Sequence, residues 1–307
     1  MSSPSAADLV EPPESRRRAV LSVLGAATLF GTTGTAQALG PAGTTPLGVG
    51  AARIVIGGAG LFAVLPRIGG SRRDAIALWR TRWGLIAGLT TALYQVCFFA
   101  GVSRAGVALG TLVTIGSGPV VTGLLSWLLL RERPRPSWLV ATAVCVTGLA
   151  LLVGSGSAQP DVDPIGLALA LASGVGYAVY TVAAKRLIND GHRSDEVMAA
   201  AFGLGGVLLL PVLLTAPLAW LATPSGLALA LWLGLVTTTL AYVLFGRGLR
   251  HLPAGPVTTL VLAEPVVATA LGVVVLGERL SPLGWLGAGL VLAGLVLQGV
   301  AATRGRG

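Results

Sequence analysis

The sequence predicts an all-helical membrane protein whose ten transmembrane helices form two inverted five-helix repeats. Three observations carry that expectation. The 307 residues are 54% hydrophobic and 11% charged, less than half of the roughly 25% charge of a soluble domain. Arg and Lys gather at the ends of alternate apolar runs. A shift of 146 residues, the distance from Pro119 to Pro265, lays much of the first half on the second. Disorder is excluded by the same composition, because disordered chains are polar and charge-rich. The net charge of +9 does not indicate nucleic acid, since the basic residues form short clusters between apolar runs rather than one basic face.

Residues 1–18 are polar, carry Pro4, Pro12 and Pro13, and end in Arg16-Arg17-Arg18, as expected of a disordered cytoplasmic tail. A membrane helix needs about 20 apolar residues. Cutting at charges and at Pro/Gly breaks gives ten such windows, at about 19–38, 47–66, 83–102, 107–130, 137–154, 164–184, 197–216, 226–246, 255–277 and 282–302. Pro41, Gly43 and Pro46 separate the first two. Pro217 and Pro224-Ser225-Gly226 divide the long uncharged stretch after Val197. Connections are short and leave no room for a soluble domain. Ser281-Pro282 is a good N-cap and first-turn pair for the tenth helix. The Glu132-Arg133 and Glu278-Arg279 corners read as structural, and Gly57-Gly58-Ala59-Gly60 and Gly203-Leu204-Gly205-Gly206 as points of close helix packing.

Orientation follows from the Arg and Lys distribution. With the N-terminus inside, 18 basic residues fall in cytoplasmic segments and two, Arg104 and Arg279, outside, with Arg53 left within a helix. An even number of spans then puts both termini in the cytoplasm of a cell whose plasma (inner) membrane holds the protein. Under the 146-residue shift, Pro119-Val120-Val121 falls on Pro265-Val266-Val267, Glu132-Arg133 on Glu278-Arg279, and Gly148-Leu149 on Gly294-Leu295. Tyr94 falls near Tyr242 after a two-residue slip. Five helices per half is an odd number, so the second half enters the membrane the other way round. Secondary transporters are built so, with the substrate site near the midplane between the halves.

Pro46…Arg53 in the second helix, Glu264-Pro265-Val266 in the ninth, and the helix ends Leu130-Arg131-Glu132 and Leu276-Gly277-Glu278 together resemble the EamA family of the drug/metabolite transporter superfamily. The resemblance spans two tandem units, residues 19–154 and 164–302. It implies a ten-helix carrier that exports amino acids, other metabolites or toxic compounds. The chain has Phe30-Gly31 where many members have Trp-Gly, and Gly118 where its own second half has Glu264.

Two ionisable residues lie within helices. A charge at the bilayer centre costs at least about 2.5 kcal/mol, so Arg53 and Glu264 should face the protein interior or water. Arg53 lies about 10 Å from the outer surface by helical rise. Glu264 is the one acid at mid-membrane depth and is expected to serve proton coupling or a substrate ammonium. Pro265 after it removes a backbone bond and should loosen the helix there. Polar and aromatic residues expected along the pathway are Tyr94 and Gln95, Tyr177 and Tyr180 on the face of Ser173, Thr238 and Tyr242 on one face of the eighth helix, and Thr32 in the first. Gln37, Thr111 and Thr114 are weaker candidates.

Cys97 and Cys145 read as small buried hydrophobes. His192 and His251 have no metal-ligand spacing, and no nucleotide loop or catalytic motif occurs, so no cofactor, metal or enzymatic activity is expected. The expected partners are a small-molecule substrate and the lipid bilayer, with a homodimer left open and nucleic acid excluded. The leading expectation is export of a small amino acid-like or other polar metabolite, with proton coupling as one drive. A multidrug exporter of the same fold is the alternative. It is disfavoured by an aromatic content of 6%. An intramembrane enzyme and a non-transporting scaffold are the rivals from other classes.

Overall fold

A computed structural model of the chain describes residues 13–154, 163–277 and 279–304. Ten helices in it are long and apolar enough to cross a membrane. They are α1 (Pro13–Ala38), α2 (Pro46–Ile68), α3 (Arg82–Ala105), α4 (Leu109–Leu130), α5 (Pro136–Gly154), α6 (Pro164–Asn189), α7 (Ser194–Thr215), α8 (Pro224–His251), α9 (Ala254–Val275) and α10 (Pro282–Arg304). A short helix, Arg72–Leu78, lies between α2 and α3.

Local chemistry sets the starts. Thr45, Thr81, Asp163, Thr223 and Ser281 each accept a first-turn backbone N–H, and all but Thr81 precede a proline. The side chain satisfies an orphan donor and the proline presets φ where no N–H is needed. The Ile165 N–H chiefly holds the Asp163 carboxyl below the usual carboxylate range. The expected 1–18 tail is corrected on one side. α1 begins at Pro13, so residues 13–18 are helical, while 1–12 lie outside the described residues. α6 and α8 also run past their apolar windows, to Asn189 and His251, carrying Lys185, Arg186, Arg247 and Arg250 on continuous helix.

The two halves pack as a pseudo-twofold pair. α3 on α6 has its counterpart in α8 on α1, and α4 on α6 in α9 on α1. The self-paired contacts, α2 on α7 and α5 on α10, cross the axis. Small residues permit the close approaches. A Cβ on Gly58 would stand 2.5 Å from the Phe202 carbonyl oxygen of α7. One on Gly287 would strike the α5 backbone at Leu152 N and stand 2.6 Å from Gly148 O, and Gly148 meets Gly287 O at 2.7 Å in return. Gly287→Val is therefore expected to force α5 and α10 apart at a cost of about 1–3 kcal/mol or more. A lowered midpoint in thermal unfolding of the detergent-solubilised protein would register it.

The halves differ at the end of α4, which is π-helical over Ser126–Leu130 where α9 stays α-helical, and at two further places. α8 changes to i→i+5 bonding over Trp232–Leu240, and α9 breaks at Leu262. Pro265 cannot donate to the carbonyl of residue 261, one bond missing beside the second interruption. It falls two residues before Glu264 rather than at the acid. The equivalent Pro119 leaves α4 helical on both sides.

Candidate functional site

A cavity of about 760 Å³ lies between the halves. Its walls come from α1, α2, α3, α4, α5, α6, α8 and α9. Gln37, Pro46, Val102 and Val153 lie at its far end, on the side opposite Pro13 and Arg304. Toward the terminal side it stops against Tyr180, Phe202 and Phe245, all fully buried. These three rings thus close the cavity toward the terminal side.

Six of the nine expected pathway residues line it: Arg53, Tyr94, Gln95, Tyr177, Tyr242 and Glu264. Glu264 is only half-buried and has no hydrogen bond or ion pair among the described residues. Arg53 attracts it across the cavity without closing to an ion pair. Arg53 is held from the other side, where its Nε donates to Thr238 Oγ1 at 3.1 Å. The Thr238 hydroxyl itself donates to Leu233 O at 2.8 Å, five residues back in the widened turn of α8. A hydroxyl has one proton, so that bond turns its lone pairs to the guanidinium. The terminal nitrogens of Arg53 are left for the cavity. Gln95 Nε2 donates to Gly50 O at 3.4 Å, tying α3 to α2 one turn from Arg53.

The remaining three expected residues stand behind the wall. Thr238 is the support of Arg53 rather than a lining group. Tyr180 is completely buried and packs on Tyr94, Tyr177 and Tyr242 with ring centroids 5.8, 5.3 and 6.4 Å away. Thr32 faces away and accepts Trp232 Nε1–H at 3.0 Å. Gln37, Thr111 and Thr114 do line the cavity. Thr33 and Tyr177 bring buried hydroxyls without hydrogen-bond partners to its wall.

All four tyrosines of the chain therefore form one cluster, continued by Phe30 and Phe202, which lie 5.0 and 3.8 Å from Tyr242. Phe98 and Phe99 add to the wall. The low aromatic content does not carry over to the cavity, whose wall includes Phe30, Tyr94, Phe98, Phe99, Tyr177 and Tyr242 but none of the tryptophans. Thr258 and Thr269 of α9 also line it. Neither stands at a same-face helical offset from Glu264, so spacing did not reveal them. The Glu264/Gly118 asymmetry has a physical reason. A Cβ on Gly118 would meet the Tyr177 ring at 3.2 Å, so the first half fills with an aromatic ring the space that the second half gives to an acid. Gly31 has a related role, since a Cβ there would lie 2.8 Å from the Glu264 carbonyl oxygen.

Thr238→Val removes the acceptor and keeps the shape. It is expected to leave folding intact and weaken apparent substrate affinity by about tenfold, the low end of the roughly 1.5–3 kcal/mol of a hydrogen bond to a charge. A raised KM with little change in maximal flux is the readout.

Comparison with known proteins agrees with this architecture. A solved structure of 23% identity superposes with a TM-score of 0.78, covering 93% of this chain and 98% of that one. The uncharacterized transporter YwfM of Bacillus subtilis is 40% identical over 90% of this chain and 92% of its own length. The threonine/homoserine exporter RhtA of Escherichia coli K12 is 30% identical over 70% and 72%. The EamA-like transporter family matches residues 17–154 and again 164–299. Ten spanning helices in two repeats around a central cavity, matched twice by one family, make this chain a multi-pass membrane transporter that belongs to the EamA-like transporter family.

Proposed function

We propose that the protein exports a small zwitterionic metabolite, an amino acid or close analogue, with Glu264 exchanging a proton during the cycle. The observation that carries this reading is a cation and an anion on one cavity wall set that are not paired with each other. A substrate carboxylate fits the fork of terminal Arg53 nitrogens, which recognises carboxylates bidentately. A substrate ammonium fits Glu264, with the faces of Tyr94, Tyr177 and Tyr242 adding cation–π attraction. Proton and ammonium then compete for one carboxylate. Closure of one side against opening of the other moves the fixed site between faces, and the break at Leu262 gives α9 freedom to follow. The likeness to a threonine/homoserine exporter supports an amino acid as cargo and export as direction. The protein acts in this reading as a carrier and not as an enzyme.

The multidrug reading retains one favourable observation, the concentration of aromatic rings at the cavity. Flux into vesicles of a panel of amino acids and of hydrophobic cations decides between them. The zwitterion reading expects amino acids to accumulate and to compete with one another. Efflux of hydrophobic cations alone would establish the rival.

The same reading places both termini in the cytoplasm of the plasma membrane, from the 18 to 2 distribution of basic residues. Cys97 and Cys145 are buried, so a cysteine introduced at Thr223 should react with an impermeant thiol reagent applied to intact cells. Labelling only after the cells are opened would reverse the orientation. Gly156, a second expected outer position, lies outside the described residues.

A further inference from the structure

A second cavity, of about 260 Å³, lies on the terminal side, away from the pathway, where the α4–α5 corner meets the start of α9 and the end of α10. Its lining is layered by charge. Arg133 and Arg135 are exposed and Arg16 is half-buried, and none of the three has an ion-pair partner among the described residues. Deeper lie Glu132, Ser126 and Gln298. Gln298 is 1% exposed, yet its Oε1 has no hydrogen-bond partner. A buried amide oxygen left so costs about 1–3 kcal/mol. Glu132 Oε2 accepts the Ala254 N–H at 3.1 Å. Burial pushes the Glu132 carboxyl above its ordinary range, against the opposing pull of Lys185 and of the Ala254 N–H. Lys185 donates to Leu249 O at 2.8 Å and does not line the cavity.

We propose that this cavity binds a phosphoethanolamine-type headgroup, an ammonium joined by a short chain to a phosphate. The phosphate rests on Arg16, Arg133 and Arg135, and the ammonium reaches inward to Glu132 and the Gln298 oxygen. A ligand with only the anion would leave the Gln298 oxygen without a donor and Glu132 with only the Ala254 N–H and the pull of Lys185 and Ser126. A ligand with only the cation would leave the rim unused. The source argued here is a membrane lipid. The site lies at the helix ends, where headgroups lie, and basic pockets between helices bind the phosphates of lipid headgroups. Exposed Trp127, Leu128, Leu139 and Val140 beside it offer an apolar track for acyl chains. Soluble phosphoethanolamine carries the same chemistry.

Native mass spectrometry of the detergent-purified full chain tests this, with phosphatidylethanolamine, phosphatidylglycerol or soluble phosphoethanolamine added. The expected result is retention of phosphatidylethanolamine about tenfold over phosphatidylglycerol, the value of one charge-assisted contact. Gln298→Leu and the double change Arg133→Gln with Arg135→Gln should each lower it, and Glu264→Gln should not. Glu132 caps α9, so Gln298→Leu, which touches no cap, is the safer inner variant. Equal retention of both lipids overturns the ammonium half. Retention unchanged in every variant overturns the site. Binding of free phosphoethanolamine with no lipid retained overturns the lipid source and keeps the headgroup chemistry.

Discussion

Glu264→Gln is expected to insert and fold as the parent does and to lose gradient-driven accumulation of substrate by at least about tenfold, the effect of about 1.4 kcal/mol in one coupled step. The amide keeps the size of the acid and cannot take up or release a proton. Substrate exchange without net accumulation should survive in part, because an amide oxygen still accepts a bond from an ammonium. Glu264→Asp, which titrates but reaches less far, should retain part of the coupled activity. The physical basis is the half-buried carboxyl on the wall of the cavity between the halves. Flux into vesicles with and without an imposed pH gradient is the measurement. Wild-type flux indifferent to the gradient would remove the proton role. Full activity in Glu264→Gln would remove the residue from the mechanism and leave it as a packing acid.

Arg53→Gln is expected to raise the substrate KM by about 10- to 100-fold, as for the loss of a bidentate carboxylate contact of about 1.5–3 kcal/mol. Arg53→Lys should recover little, since an ammonium has no planar fork and the Nε–H bond to Thr238 is lost with the guanidinium. The two charges attract each other across the cavity. Arg53→Gln with Glu264→Gln should therefore be less impaired than the sum of the single changes. Strict additivity in the measured affinities would mean that the two residues do not share one ligand.

Spans and repeats were readable from the residues because bilayer thickness and the cost of a charge in lipid act on every window of the chain. Pro119 and Pro265 revealed the duplication, and the α3–α6 and α8–α1 packing is its three-dimensional form. Arg53 and Glu264 were readable for the same reason, as charges with no place in lipid. Which inner face a neutral residue occupies was less legible. Ser173, Tyr177 and Tyr180 share a helical stripe, yet Ser173 donates to Tyr94 O, Tyr177 meets the cavity and Tyr180 is sealed behind it. Spacing does not say how deep a cavity cuts into a stripe. Thr238 was expected along the pathway, but its role as the support of Arg53 was not legible: the i→i+5 turns of α8 bring its hydroxyl to Arg53, and a 3.6-residue period does not contain that arrangement. Aromatic content says nothing of position, and the tyrosines with Phe30 and Phe202 gather at the cavity while the tryptophans do not line it.

The central claim is that Arg53 and Glu264 recognise the two ends of one zwitterion. The most direct test is flux of an amino acid substrate into proteoliposomes, in competition with its methyl ester and with its deaminated acid. The ester has lost the negative end and the acid has lost the positive one. The account predicts that only the intact amino acid is transported and competes well. It further predicts that Arg53→Gln erases the discrimination against the ester, and Glu264→Gln that against the deaminated acid. Equal competition by all three compounds in the wild-type protein would contradict it.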